Sequence, residues 1–112
     1  MITDLDQYQV LALRTAGQHG ENGLACWALG LTGEAGETAD LIKKALFHGK
    51  RVDRIQIARE LGDTLWYLAV LSHELGFTLS EVAQLNIDKL IARYPEGFTS
   101  QASEARIDET GN

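Results

Sequence analysis

The chain has 112 residues, a formal net charge of −6, 45% hydrophobic residues and 23% charged ones. That composition belongs to one globular domain, large enough for a single core yet near the size at which small domains often oligomerise. The acidity, without a lysine- or arginine-rich block, favours solubility and argues against a nucleic-acid polymer as partner. Cys26 is the single cysteine, so no internal disulfide forms, and no Cys/His cluster suits zinc.

The N-terminal "MITDLDQYQVLALRTAG" is acidic and alternates apolar with polar residues, unlike a signal peptide. Thr3 or Asp4 offers an N-cap for a first helix over about Leu5–Ala16, which ends near Gly17. Tyr8 and Gln9 in this segment are candidates for a nucleobase pocket across a dimer. A second helix runs from about Leu24 to Phe47. A third starts after Asp53 and stops at Gly76, a good C-terminal glycine. Its apolar run Leu65 to Leu71 is too short to span a bilayer, so a soluble cytoplasmic protein without a membrane partner is expected. The fourth begins at "TLSE", where Thr78 and Glu81 have capping-box spacing, and closes at Tyr94 before Pro95. Short connections between the last three predict antiparallel neighbours in an all-α bundle. The domain is expected to occupy 1–98, followed by a polar tail over 99–112, extended or partly disordered.

The second segment carries an apolar stripe of Leu24, Trp27, Leu31, Ala35, Ile42 and Ala45. Glu34 lies at its edge, with Glu37 and Lys44 on the same flank, while Asp40 and Lys43 point to the opposite side. The third repeats the arrangement, with Ile57, Leu61, Leu65, Leu68 and Leu75 as stripe and Glu60 and Asp63 on one flank. Each helix thus presents a carboxylate pair at i and i+3. Packed stripe to stripe, the helices would bring all four together, where like charges repel and burial is costly unless a cation intervenes. A carboxylate-only set suits a hard ion, Mg²⁺ or Mn²⁺. The competing reading is two ordinary solvated acid pairs.

Glycines at 30, 33 and 36 interrupt the second helix at roughly 1 kcal/mol each relative to alanine. They remove bulk around Glu34 and Glu37, serving either close helix packing or the approach of a phosphate. In the fourth segment Asn86 sits within an apolar face, flanked by Lys89 and Arg93. These cations either pair with the acids of the other helices or complete a site that holds a polyphosphate. Trp66 and Val70 face away from the acids, towards either a subunit interface or a core covered by the first helix. Trp27 is placed in the core, and His19, His48 and His73 are read as structural or solvated.

At "GEAGE…ELGD…NIDKLIARYPEGF" the chain resembles a MazG-like member of the all-α nucleoside triphosphate pyrophosphohydrolase superfamily. The E-x-x-E and E-x-x-D elements are met by Glu34, Glu37, Glu60 and Asp63, with 22 residues between Glu37 and Glu60. The later element is matched by Asn86, Lys89, Arg93, Tyr94, Pro95, Gly97 and Phe98, and the resemblance spans roughly Leu24 to Asp108. It implies a four-helix unit assembled as a homodimer or a dimer of dimers (homotetramer). It also implies Mg²⁺-dependent hydrolysis of an NTP or dNTP to monophosphate and pyrophosphate, with Mn²⁺ as possible substitute. Glu34, Glu37, Glu60 and Asp63 would then bind metal and serve catalysis. Lys44, Asn86, Lys89, Arg93 and Tyr94 would bind substrate. Many relatives carry a glutamate where this chain has Gly33, which leaves the general base to one of the four carboxylates. The alternatives are a dUTPase-like or phosphoribosyl-ATP pyrophosphatase-like enzyme, or a non-catalytic helical interaction module.

Overall fold

The computed structural model describes residues 1–101, and its elements are α1 (Leu5–Leu13), α2 (Gly23–Phe47), α3 (Arg54–Glu74) and α4 (Leu79–Arg93), with a 3₁₀ turn at Gly20–Asn22. Among the described residues there is no strand, only an isolated bridge between Pro95 and Gly97. The all-α expectation therefore holds. No helix among them is long and apolar enough to cross a membrane. Of the expected tail, Thr99 is irregular and Ser100 and Gln101 are helical, while 102–112 lie outside the described residues.

Asp4 caps α1: its carboxylate accepts from the Gln7 N–H at 2.8 Å, while the Gln7 side chain accepts from the Thr3 N–H at 2.7 Å. This reciprocal pairing satisfies the first orphan donors. Regular α-helix stops at Leu13, earlier than the periodicity suggests. The turn tightens through Thr15 N–H to Ala12 O and Ala16 N–H to Leu13 O before Gly17 takes φ 67°. The cause is tertiary, because the Trp66 indole N–H donates to Ala12 O at 3.1 Å and Thr15 Oγ1 at 2.9 Å. Asp53 caps α3 by accepting from the Gln56 N–H at 3.1 Å, as its position predicts. Gly76 follows α3 with φ 86°.

The chain divides into two units, Met1–Leu79 and the residues from Ser80 onward. In the first, α2 and α3 form an antiparallel pair and α1 lies on α3. Two small clusters make the core. Ala12, Ala69 and Leu79 gather Tyr8, Leu65 and Trp66, while Ala16, Trp27 and Val70 gather Leu13, Trp66, Tyr67 and Leu71. Trp66 and Val70 are thus covered by α1, which decides between the two surfaces the sequence left open. Trp27 is 5% exposed and packs edge-on against Trp66, as a core residue.

Gln9 departs from expectation. Its buried amide donates to Ala69 O at 2.9 Å and Phe77 O at 3.2 Å, and its oxygen accepts from the Leu79 N–H at 3.0 Å. One side chain ties α1 to α3, to the following turn and to the start of α4. Its hydrogen-bonding capacity is used inside the fold, so it offers nothing to a nucleobase.

Much of the apolar surface of α2 and α3 stays open: Leu24, Leu29, Ile42, Phe47, Ile55, Leu61, Leu68 and Leu75 are all exposed, Phe47 at 82%. The stripes are apolar as read, yet one chain covers them only in part.

Candidate metal centre

Gly30 sets the register between α2 and α3. A Cβ there would overlap the Tyr67 ring, so glycine alone lets that ring lie against the α2 backbone. Four residues on from Gly30 is Glu34, and four back from Tyr67 is Asp63. Seven on is Glu37, and seven back is Glu60. Antiparallel packing at this register brings E-x-x-E and E-x-x-D to the same height, with both pairs beside the contact stripe. Gly33 and Gly36 have a different setting, since a Cβ at either position meets nothing within 4 Å. They leave open space next to the acids rather than admitting a helix of the same unit.

Glu34, Glu37 and Glu60 each offer a carboxylate oxygen within 4.8 Å of the others. Glu34 and Glu60 are half-buried and Glu37 is exposed. Oε2 of Glu34 and Oε2 of Glu60 are buried without a hydrogen-bond partner. The neighbouring hydroxyls do not help: Thr38 donates to the Glu34 carbonyl at 3.1 Å and Thr64 to the Glu60 carbonyl at 3.1 Å. The electrostatics reflect this crowding. The Glu34 carboxyl is pushed up to about 7 by loss of solvent, then by the Glu37 charge, by a hydrogen bond to Glu60 that only its protonated form can donate, and by the Asp63 and Glu60 charges. Asp63 is exposed and lies beside these three rather than among them. Its charge also helps, after burial, to raise the Tyr8 hydroxyl, which places α1 next to the acids.

Buried carboxylate oxygens without donors, converging from two helices, are what a hard divalent cation requires. The residues present therefore fit such an ion. Glu34, Glu37 and Glu60 would hold it, with Asp63 alongside.

Lys44 is ion-paired along its own helix. Its ammonium lies 2.8 Å from Asp40, with Lys43 at 3.9 Å from the same carboxylate, so Asp40 shares the Lys44 side of α2 rather than the opposite one. Asn86, Lys89 and Arg93 follow one another along α4 in the second unit. There the Arg93 guanidinium lies 5.7 Å from the Tyr94 ring centroid, and Tyr94 lies 5.2 Å from Phe98. Close helix packing is one of the roles the sequence offers for Gly30, but its partner, Tyr67, and the link from Tyr8 to Asp63 are not readable there. The only signal was a glycine and two aromatics at helical spacing from the acids.

No solved structure is matched by this chain. A protein of Mycobacterium phage L5, "Gene 37 protein", is 37% identical over 112 aligned residues, which cover 91% of this chain and 98% of that protein. Residues 24–98 match the MazG nucleotide pyrophosphohydrolase domain, a span holding both acid pairs and the later Asn-Lys-Arg element. The chain belongs to the MazG nucleotide pyrophosphohydrolase family.

Proposed function

We propose that this protein is a Mg²⁺-dependent nucleoside triphosphate pyrophosphohydrolase that converts an NTP or dNTP to its monophosphate and pyrophosphate. The observation that carries this reading is the convergence of Glu34, Glu37 and Glu60, with two buried carboxylate oxygens lacking any donor. A divalent cation bound there, with Mn²⁺ as possible substitute, would neutralise phosphate oxygens and lower the pKa of a coordinated water. The reaction adds a water oxygen to the α-phosphorus and breaks its bond to the bridging oxygen of the β-phosphate. Pyrophosphate leaves with that electron pair. The water's proton passes to a carboxylate of the cluster, because Gly33 supplies no side chain. Lys44, Asn86, Lys89, Arg93 and Tyr94 are the substrate-binding groups of this proposal, opposing the negative phosphate chain. The half-covered apolar faces of α2 and α3 support assembly as a homodimer or homotetramer, and the cytoplasm is the location that goes with this reading.

The test is an end-point assay over NTPs, dNTPs and dUTP with Mg²⁺, Mn²⁺ or EDTA, resolving every phosphorylated product. Monophosphate plus pyrophosphate, abolished by EDTA and by Glu37→Gln, is the expected result. Diphosphate plus orthophosphate, or no turnover of any nucleotide, would refute it.

A further inference from the structure

Beyond the acids, α2 and α3 run on to the hairpin loop that joins them. There a cavity of about 250 Å³ has Leu41, Ala45 and Ile57 in its lining, together with Lys44, Lys50 and Arg51. Leu41 follows Glu37 by one turn of α2, and Gln56, also in the lining, precedes Glu60 by one turn of α3. The cavity therefore starts about 6 Å along the helices from the carboxylates, on the same faces.

Its charge is opposite to that of the chain. Six of the ten lysines and arginines fall within residues 43–59 against one acid, Asp53, in a chain of net −6. They are spread too thinly to read as a block, but the hairpin gathers them at one end. Asp53 also lines the cavity, with one carboxylate oxygen accepting from the Gln56 N–H in capping α3, so Lys44, Lys50 and Arg51 outnumber it there. Lys44 is held in place by Asp40 at 2.8 Å. Lys50 and Arg51 are exposed and have no carboxylate within ion-pair distance among the described residues. Unpaired cations around a cavity with an apolar part, next to a site for a metal-bound anion, call for a ligand that carries more negative charge outward from that site.

We propose that this cavity seats the terminal two phosphates of the substrate, the pair that leaves as pyrophosphate, and that Lys50 and Arg51 read the length of the phosphate chain. This rests on the pyrophosphohydrolase reading. The cations receive a leaving group whose charge grows as the Pα–O bond breaks, so they act on departure as well as on binding.

The experiment compares wild type with the Lys50→Ala/Arg51→Ala variant, both changes lying in the exposed loop. Pyrophosphate and nucleoside monophosphate binding are measured by calorimetry with Mg²⁺ present, alongside kcat and KM for nucleoside tri- and diphosphates. Loss of these contacts should weaken pyrophosphate roughly tenfold or more, leave the monophosphate unchanged and narrow the preference for triphosphate over diphosphate. Unchanged pyrophosphate affinity, with α-phosphorus hydrolysis intact, overturns the subsite and spares the enzyme reading. Equal weakening of monophosphate, pyrophosphate and a single-stranded oligonucleotide also overturns it, because that describes a general anion collar. If wild type hydrolyses no nucleotide while the variant still loses pyrophosphate, the cavity binds pyrophosphate, but the enzyme reading falls and the leaving-group role of Lys50 and Arg51 falls with it.

Discussion

Lowering the pH from about 8 to about 5.5 should weaken Mg²⁺ or Mn²⁺ binding about 30-fold. The perturbation acts on Glu34, which must lose its proton before it can ligate. Apparent affinity then scales as 1/(1 + 10^(pKa − pH)). With the Glu34 carboxyl at about 7, the denominator is about 33 at pH 5.5 and about 1.1 at pH 8. At the ordinary value of 4.5 it would stay within about a tenth of unity at both, and affinity would be flat. The assay is calorimetric titration with Mn²⁺ in two buffers of different ionisation heat, which also counts protons released. Near pH 6 about one proton should leave per ion bound. Flat affinity across this range with no proton release would refute the argument, because Glu34 would then not be crowded by its neighbours. The same shift affects the metal-free fold. Folded Glu34 holds its proton more tightly than the unfolded chain does, so this contribution to stability is full below pH 4.5 and is lost as pH rises through about 7. Added cation should restore it by mass action.

Replacement of Gly30 by alanine forces a methyl group into the Tyr67 ring and should cost about 1–3 kcal/mol in urea unfolding, with metal affinity falling as the register loosens. Gly33→Ala meets no atom within 4 Å and should be neutral or stabilise by up to about 1 kcal/mol, so equal effects at the two sites would contradict the packing described. Gln9→Leu leaves the Ala69 and Phe77 carbonyls and the Leu79 N–H without their partner, and a loss of about 2–4 kcal/mol is expected in the same unfolding assay. Glu60→Gln should abolish metal-dependent thermal stabilisation while circular dichroism stays that of a folded helical protein. A variant that is still stabilised by the cation would remove Glu60 from the site.

Helix periodicity carried most of the fold because the helices are long and locally punctuated: Asp53 caps α3, and Gly76 follows its end, as their types predict. The acid pairs were legible for a related reason. Spacing of i and i+3 on two helices places each pair on one face whatever the tertiary packing is. Spacing does not say at what height those faces meet. That is fixed by the fit of the Tyr67 ring against Gly30, a contact between residues far apart in sequence. Gln9 is illegible for the same reason, since its partners lie 60 to 70 positions away and nothing nearby marks it as buried. The early end of α1 belongs here too, because the Trp66 indole reaches Ala12 and Thr15 from α3. Lys44 shows a local partner at work: Asp40 at i−4, which the helical wheel sets on the opposite side, holds the ammonium that it sets on the flank of Glu34 and Glu37.

The apolar stripes carry the argument one step beyond the single chain. Leu61 and Leu68 belong to the α3 stripe and are still 55% and 40% exposed, while Leu29 on α2 reaches 73%. A helix face of this kind lowers its free energy by about 25 cal/mol for each Å² it buries, so a few such side chains outweigh the rotational freedom lost on covering them. Oligomerisation would therefore act on the same hairpin that carries the acids. Burying Leu61, next to Glu60, would remove more water from carboxylates already short of donors. Assembly should then raise the pH at which Glu34 ionises and steepen the dependence on metal, so oligomeric state and cation affinity should change together. Sedimentation velocity across a Mn²⁺ titration, repeated with Leu61→Lys, measures both at once. If Leu61→Lys were to yield monomers whose metal affinity and pH profile match those of the wild type, the two properties would be independent and the coupling argued from this face would be wrong.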